Sequence, residues 1–278
     1  MLGQRVVTAI VLLAFLLPAL FASSPWPFAV VTLVLIAAAG WEWGRLNQMP
    51  QVGAYAMGLV LAAACAWALI AGWVDHAPRT VWWAAAAVWI IGGAVALRGG
   101  PAAWPHLPPA ARWLIGLLAL WAAWLALSAA RGSGLNFVLS IFCLVWIADI
   151  AAYFGGRALG RRKLAPTISP GKSWEGALCG AAAVLLLSAV WAYFDQQQGQ
   201  IDTSLYTRLW QHLGLLGAGV ALLLLSAMSV VGDLVESLVK RAAGAKDSSR
   251  LLPGHGGVLD RVDALLPVFP VALALVSL

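Results

Sequence analysis

Apolar runs of about twenty residues follow one another along this chain, separated only by short polar or Pro/Gly-rich breaks. A hydrocarbon layer about 30 Å thick needs about 20 apolar residues for each helical crossing. On that measure about nine helices are expected, over residues 6–23, 27–45, 52–74, 81–98, 111–130, 134–156, 174–194, 213–241 and 258–277. The eighth is unusually long and ends polar. Of the 278 residues 62% are hydrophobic and 10% are charged, against roughly 25% charged in soluble proteins. So few charges could not cover a globule in water, whereas a lipid-facing surface needs no such cover. The expected fold is therefore all-α and polytopic in a membrane, with no room for a separate soluble domain. Arg5 ahead of the run Val6 to Phe21 resembles a secretory signal, but polytopic chains open in the same way and the run reads as the first transmembrane helix.

Loop charge orients such a chain, because Lys and Arg concentrate on the cytoplasmic side. With the N-terminus in the cytosol, that side receives Arg5, Arg45, Arg98, Arg112, Arg157, Arg161, Arg162, Lys163, Lys172, Lys240, Arg241, Lys246, Arg250 and Arg261. The opposite side receives Arg79, Arg131 and Arg208, a split of fourteen to three. Cys65, Cys143 and Cys179 each lie within an apolar run, form no C-x-x-C pair, and read as buried packing residues.

Carboxylates inside apolar helices are costly, which makes them functional candidates. Asp149 lies within the sixth run, and its spacing to Tyr153 and Arg157 places all three along one helical face. That spacing also allows a structural Asp–Arg clasp. The basic loop that follows contains Lys172, with Ser169 or Ser173 placed to cap the next helix, and a helix N-terminus beside a lysine favours an anion. Gly171-Lys172-Ser173 resembles the end of a P-loop but lacks the upstream glycine and strand. Contact with anionic lipid would account for the basic loop equally well.

The densest polar stretch closes the eighth run and leads into the ninth. Asp233, Glu236, Ser237 and Lys240 share one face at i, i+3, i+4 and i+7. Arg241, Lys246, Asp247, His255, Gly256 and Gly257 follow, and then Asp260, Arg261 and Asp263. Carboxylates from two helices, cations between them and a glycine-flanked His describe a site for Mg²⁺ carrying a polyphosphate. The glycines let backbone N–H groups approach an anion closely. A transporter is the rival from another class, but its carboxylates would form a relay across the membrane rather than cluster at one edge. A lipid scaffold would leave the loop from Lys246 to Asp263 unexplained.

The order Ser237-x-x-Lys240-Arg241, four residues, Lys246-Asp247, then Pro253-x-His255-Gly256-Gly257-x-x-Asp260-Arg261-x-Asp263 resembles the signature of the phosphatidate cytidylyltransferases, or CDP-diacylglycerol synthases. Asp149-x-x-Ala152-Tyr153-x-x-Gly156-Arg157-x-x-Gly160 and Ser169-Pro170-x-Lys172-Ser173-x-Glu175-Gly176 are also similar to that family. The likeness covers about residues 149–263, and Ser173 and Ala264 stand where the family more commonly has Thr and Ser.

The resemblance implies that CMP passes from CTP to phosphatidate, giving CDP-diacylglycerol and pyrophosphate for phospholipid synthesis. It implies Mg²⁺ on Asp233 and Asp260, with Asp263 as a further ligand. Asp233, Lys240 and Asp260 would be catalytic. Lys172, Ser237, Arg241, Lys246, Asp247, His255, Gly256, Gly257 and Arg261 would bind substrate, with Asp149, Tyr153, Arg157 and Glu236 around the ligand set. A CTP-using transferase or kinase for another membrane lipid is the nearest rival. Expected partners are CTP, phosphatidate and membrane lipids, with no nucleic acid and with a homodimer left open. Residues 1–130 would be scaffold helices, and residues 131–278 a catalytic region with cytoplasmic basic loops 157–173 and 241–257. Thirteen Arg against four Lys point to a GC-rich bacterial genome and hence to the inner membrane.

Overall fold

The computed structural model describes residues 2–197 and 202–278, excluding the side chains of Leu2, Gln4 and Arg5. Helix dominates, because backbone removed from water must satisfy its N–H and C=O groups within its own segment. The first three helices are α1 (Leu2–Phe21), α2 (Trp26–Leu46) and α3 (Gln51–Ile70), followed by the single turn α4 (Trp73–His76). Helix α5 (Arg79–Ala87) continues through a π turn at Val88–Gly92 into α6 (Gly93–Ala103) and a final 3-10 turn. Then come α7 (Pro109–Gly132), α8 (Leu135–Leu159), the strands β1 (Lys163–Ala165) and β2 (Ser169–Ser173), α9 (Trp174–Gln197) and α10 (Leu205–Ala242). The short α11 (Leu259–Val262) and α12 (Leu265–Val276) complete the chain.

Among the described residues seven helical segments are long and apolar enough to cross a membrane, and Val6–Phe21 is a shorter apolar helix. The run expected at 258–277 is divided between α11 and α12. At the division Asp263 Oδ1 accepts the N–H of Ala264 at 2.7 Å. The remaining 12-residue α12 is buried along nearly its whole length and packs against α5, α7, α8 and α10. Its apolar character on every face suits a core position. Helix α10 starts earlier than expected. Gly214, with φ 67° and ψ 179°, breaks it where the apolar run begins, in backbone that glycine adopts without steric cost.

One short hairpin interrupts the helices. The basic loop after α8 folds as an antiparallel hairpin with Lys163 opposite Ser173 and Ala165 opposite Ser169. Pro170, which lacks an N–H, and Gly171 disfavour helix there. Cys65 is buried as expected, while Cys143 and Cys179 are only half-buried, and all three are unpaired.

Side-chain contacts gather the helix ends at two poles. At one, Thr8 Oγ1 donates to Pro253 O at 3.0 Å, Trp104 Nε1 to Asn47 Oδ1 at 2.8 Å, and Arg241 Nε to Ile168 O at 3.4 Å. At the other, Arg131 Nε donates to Leu20 O at 2.8 Å, Asn136 N to Asp202 Oδ2 at 2.7 Å, and Arg208 Nη2 to Ser133 O at 2.9 Å. The long helices run alternately between these poles, so the motif-bearing loops share the first. Glycines bring α8 and α9 together. A Cβ at Gly176 would lie 2.6 Å from Ala152 O, and one at Gly180 2.7 Å from Ala148 O. This approach sets the Asp149 face of α8 beside β2.

Candidate active site

Each member of the α10 polar face has a partner from elsewhere in the chain or along the helix. Ser237 Oγ donates to Asp233 Oδ1 at 3.2 Å, and Lys172 Nζ lies 2.6 Å from Asp233 Oδ2. This ion pair joins the β2 motif to the α10 motif. Lys240 Nζ lies 2.6 Å from both Glu236 Oε2 and Asp260 Oδ1. Glu236 is only 2% exposed, so Lys240 supplies the positive charge that a buried carboxylate requires.

The loop between α10 and α11 wraps around Asp260. Its Oδ2 accepts the N–H of Ser248 at 2.9 Å, the hydroxyl of Ser248 at 2.8 Å and the N–H of Gly257 at 2.7 Å. Leu252 N donates to Gly256 O and His255 N to Leu252 O, both at 2.8 Å, which closes a tight turn. Gly256 has φ 85°, and a Cβ there would lie 2.7 Å from Asp260 Oδ2. The turn therefore needs glycine for both its conformation and its space. Arg261 Nε donates to His255 O at 2.9 Å, and its Nη2 reaches the same oxygen. His255 Nδ1 is buried without a hydrogen-bond partner.

A cleft of about 620 Å³ opens at this pole, lined by Asp149, Tyr153, Arg157, Lys172, Ser173 and Asp233 among others. It brings the α8 motif, the β2 motif and Asp233 onto one cavity. Glu236, Lys240 and Asp260 form the adjoining cluster and do not line it. Among the described residues no ion pair joins Asp149 to Arg157, so the clasp allowed by their spacing is not formed. Ser173, rather than Ser169, caps α9 by accepting the Gly176 N–H at 3.2 Å. Lys246, Asp247 and Arg250 stand exposed on the loop, outside the cleft lining.

Glu42 is the residue that the motif analysis does not reach. It lies in α2, fully buried, and accepts four hydrogen bonds from residues 248–259. The rule that singles out Asp149, a carboxylate inside an apolar run, applies to Glu42 equally. No neighbouring motif marks it.

Among the described residues, no three His, Cys, Asp or Glu side chains close into a ready-made metal site. Mg²⁺ asks for less, since it is commonly held by one or two carboxylates together with substrate phosphates and water. Asp233 and Asp263 would supply two such carboxylates, one from α10 and one from the junction of α11 and α12. Gly232 permits the approach, because a Cβ there would collide with the backbone oxygen of Asp263. Asp260 Oδ1 is already paired with Lys240 at 2.6 Å. The pair Asp233 and Asp263 fits a hard divalent ion.

A bundle of apolar helices with carboxylates, lysines and glycine-loop amides gathered at one pole defines a membrane-embedded enzyme of phosphate-bearing substrates. The cytidylyltransferase family model matches residues 3–278. The chain is 38% identical to a phosphatidate cytidylyltransferase of Pseudomonas aeruginosa, over 99% of this chain and 97% of that protein. It is 35% identical to one of Haemophilus influenzae, over 97% and 96% of the two chains. A Brucella suis phosphatidate cytidylyltransferase is 50% identical over 51% of this chain and 48% of its own length. The chain belongs to the cytidylyltransferase family.

Proposed function

We propose that the chain is a Mg²⁺-dependent CTP:phosphatidate cytidylyltransferase of a bacterial cytoplasmic membrane, crossing it about nine times from a cytosolic N-terminus. The observation that carries the reading is the single cleft onto which Asp149, Lys172 and Asp233 converge at the basic pole of an apolar bundle. A lipid phosphate can enter such a cleft from the bilayer and a nucleotide from the cytosol.

The reaction follows from charge. A phosphate monoester is mostly dianionic near neutral pH, so phosphatidate needs no general base. Its oxygen attacks the α-phosphorus of CTP, the bond from that phosphorus to the bridging oxygen breaks, and pyrophosphate departs with the bonding electrons. The obstacle is repulsion between two anions. Asp233, Asp260 and Asp263 would hold Mg²⁺, which when bound neutralises phosphate charge and aligns the phosphoryl oxygens. Lys172 and Lys240 already sit on Asp233 and Asp260, so each is placed to pass from carboxylate to phosphate. Arg241, Lys246 and Arg261 add positive charge along the loop, while Gly256 and Gly257 let the carboxylates of Asp260 and Glu42 come close to the backbone that positions them.

Purified protein in micelles of phosphatidate should release pyrophosphate from CTP and form CDP-diacylglycerol. A CTP-dependent kinase acting on a lipid alcohol would release CDP instead, so CDP as the product would overturn the reading. For topology, single cysteines at Arg162, Arg250 and Ser133, in a background without Cys65, Cys143 and Cys179, should react with an impermeant maleimide. The first two should react only from the cytosolic face and the third only from the opposite one. Labelling of Arg162→Cys and Arg250→Cys from opposite faces would end the nine-crossing arrangement.

A further inference from the structure

We infer that Glu42, in the N-terminal half of the chain, is a positioning residue for cytidylyl transfer that holds the loop of residues 248–259 and, through it, Asp260. The inference rests on the activity proposed above. Glu42 is 0% exposed, and no cation lies within ion-pair distance of it among the described residues. An isolated carboxylate in that setting is costly unless hydrogen bonds satisfy it. The loop provides them. Oε1 accepts Ser249 Oγ at 2.6 Å and Val258 N at 2.9 Å, and Oε2 accepts Leu259 N at 2.8 Å, with Ser248 Oγ at 3.3 Å.

These donors are divided between two carboxylates. The consecutive amides of Gly257, Val258 and Leu259 go to Asp260, Glu42 and Glu42 in turn. Ser248 Oγ lies between Glu42 Oε2 and Asp260 Oδ2, closer to the latter at 2.8 Å. A Cβ at Gly257 would collide with both the Ser248 hydroxyl and the Glu42 carboxylate. The position of Asp260 is therefore set by a loop whose far side is anchored on α2. Glu42 touches no residue of the cleft lining through these bonds, so it acts through the loop.

Glu42→Gln tests this directly. One carboxylate oxygen becomes an NH₂ group facing a backbone N–H, so an amide at Val258 or Leu259 loses its acceptor. In phosphatidate micelles with Mg²⁺, kcat should fall at least tenfold while the KM for phosphatidate stays within about twofold. Hydrogen exchange should accelerate at least tenfold for amides 248–259, and exchange in α8 and α9 should be unchanged. Mere loss of packing on α2 would instead loosen that helix and its neighbours and leave the loop no worse than the rest. Should Glu42→Gln fail to fold, Ser249→Ala removes one donor and keeps the charge, and it should show the same local exchange with a severalfold loss of kcat. Wild-type protein that releases no pyrophosphate from CTP rejects the activity and the role of Glu42 with it. Active wild-type protein whose Glu42→Gln variant keeps kcat and loop exchange within twofold overturns the role of Glu42 alone.

Discussion

Asp233→Asn should lower CTP turnover by on the order of a hundredfold or more, about 3 kcal/mol of lost transition-state stabilisation, while the melting midpoint in detergent changes little. Asparagine keeps the volume and can still accept from Ser237, but it no longer supplies a hard anionic ligand. The cation left behind is Lys172, whose side chain is 25% exposed beside the cleft, so water offsets part of the lost pairing. Asp260→Asn should cause a similar loss of turnover. Its amide oxygen can still accept from Ser248 and Gly257, and Lys240 keeps Glu236 as a partner. The competing account makes Asp260 only a counter-charge for buried Lys240. Under that account Asp260→Asn costs stability, as broken buried pairs do by roughly 3–5 kcal/mol, and adding Lys240→Met together with Glu236→Gln, so that no charge of the cluster is left unpaired, restores it. The measurement is a melting midpoint beside pyrophosphate release for both Asp variants and the triple. Near-normal turnover in either Asp variant, or recovery in the triple, removes that acid from the reacting site.

Excess EDTA should abolish pyrophosphate release, with Mg²⁺ or Mn²⁺ restoring it and Ca²⁺ failing to. Mg²⁺ holds an octahedron at about 2.1 Å, whereas Ca²⁺ takes roughly 6–8 oxygens at about 2.3–2.6 Å. The longer and looser shell aligns an in-line displacement poorly. A few carboxylates at the edge of a cleft suit the smaller ion, since phosphate oxygens and water complete its shell. Loss of the free Mn²⁺ spin-resonance signal on adding protein gives a readout independent of turnover, and Asp233→Asn should weaken that binding. Full activity in excess EDTA would exclude a metal from the reaction.

The sequence alone determined the class of protein and much of its plan. Helix length and apolar composition are local rules imposed by a bilayer, and they are readable one run at a time. The same holds for the carboxylate spacing on α10, because i, i+3, i+4 and i+7 define a helical face wherever the helix lies. The hairpin from Lys163 to Ser173 was harder to see, since a short polar stretch holding Pro170 and Gly171 looks like any loop until its strands pair. The division of the last apolar run falls at Asp263 and Ala264, whose backbone stays helical, and Pro267 one turn on has no N–H to give to Asp263 O.

Only the tertiary structure decided who partners whom. Lys172 could have reached lipid, nucleotide or carboxylate, and packing of α8 against α9 through Gly176 and Gly180 sets it on Asp233. Lys240 had five carboxylates between residues 233 and 263 to choose from and holds Glu236 and Asp260. Glu42 meets Val258 across 216 positions, a separation that no periodicity or motif spacing encodes. Local physics settles which segments are helices and which faces are polar. A hydrogen bond between distant segments exists only once the helices between them have packed, and that is why the anchor of the loop is visible in the fold and not in the sequence.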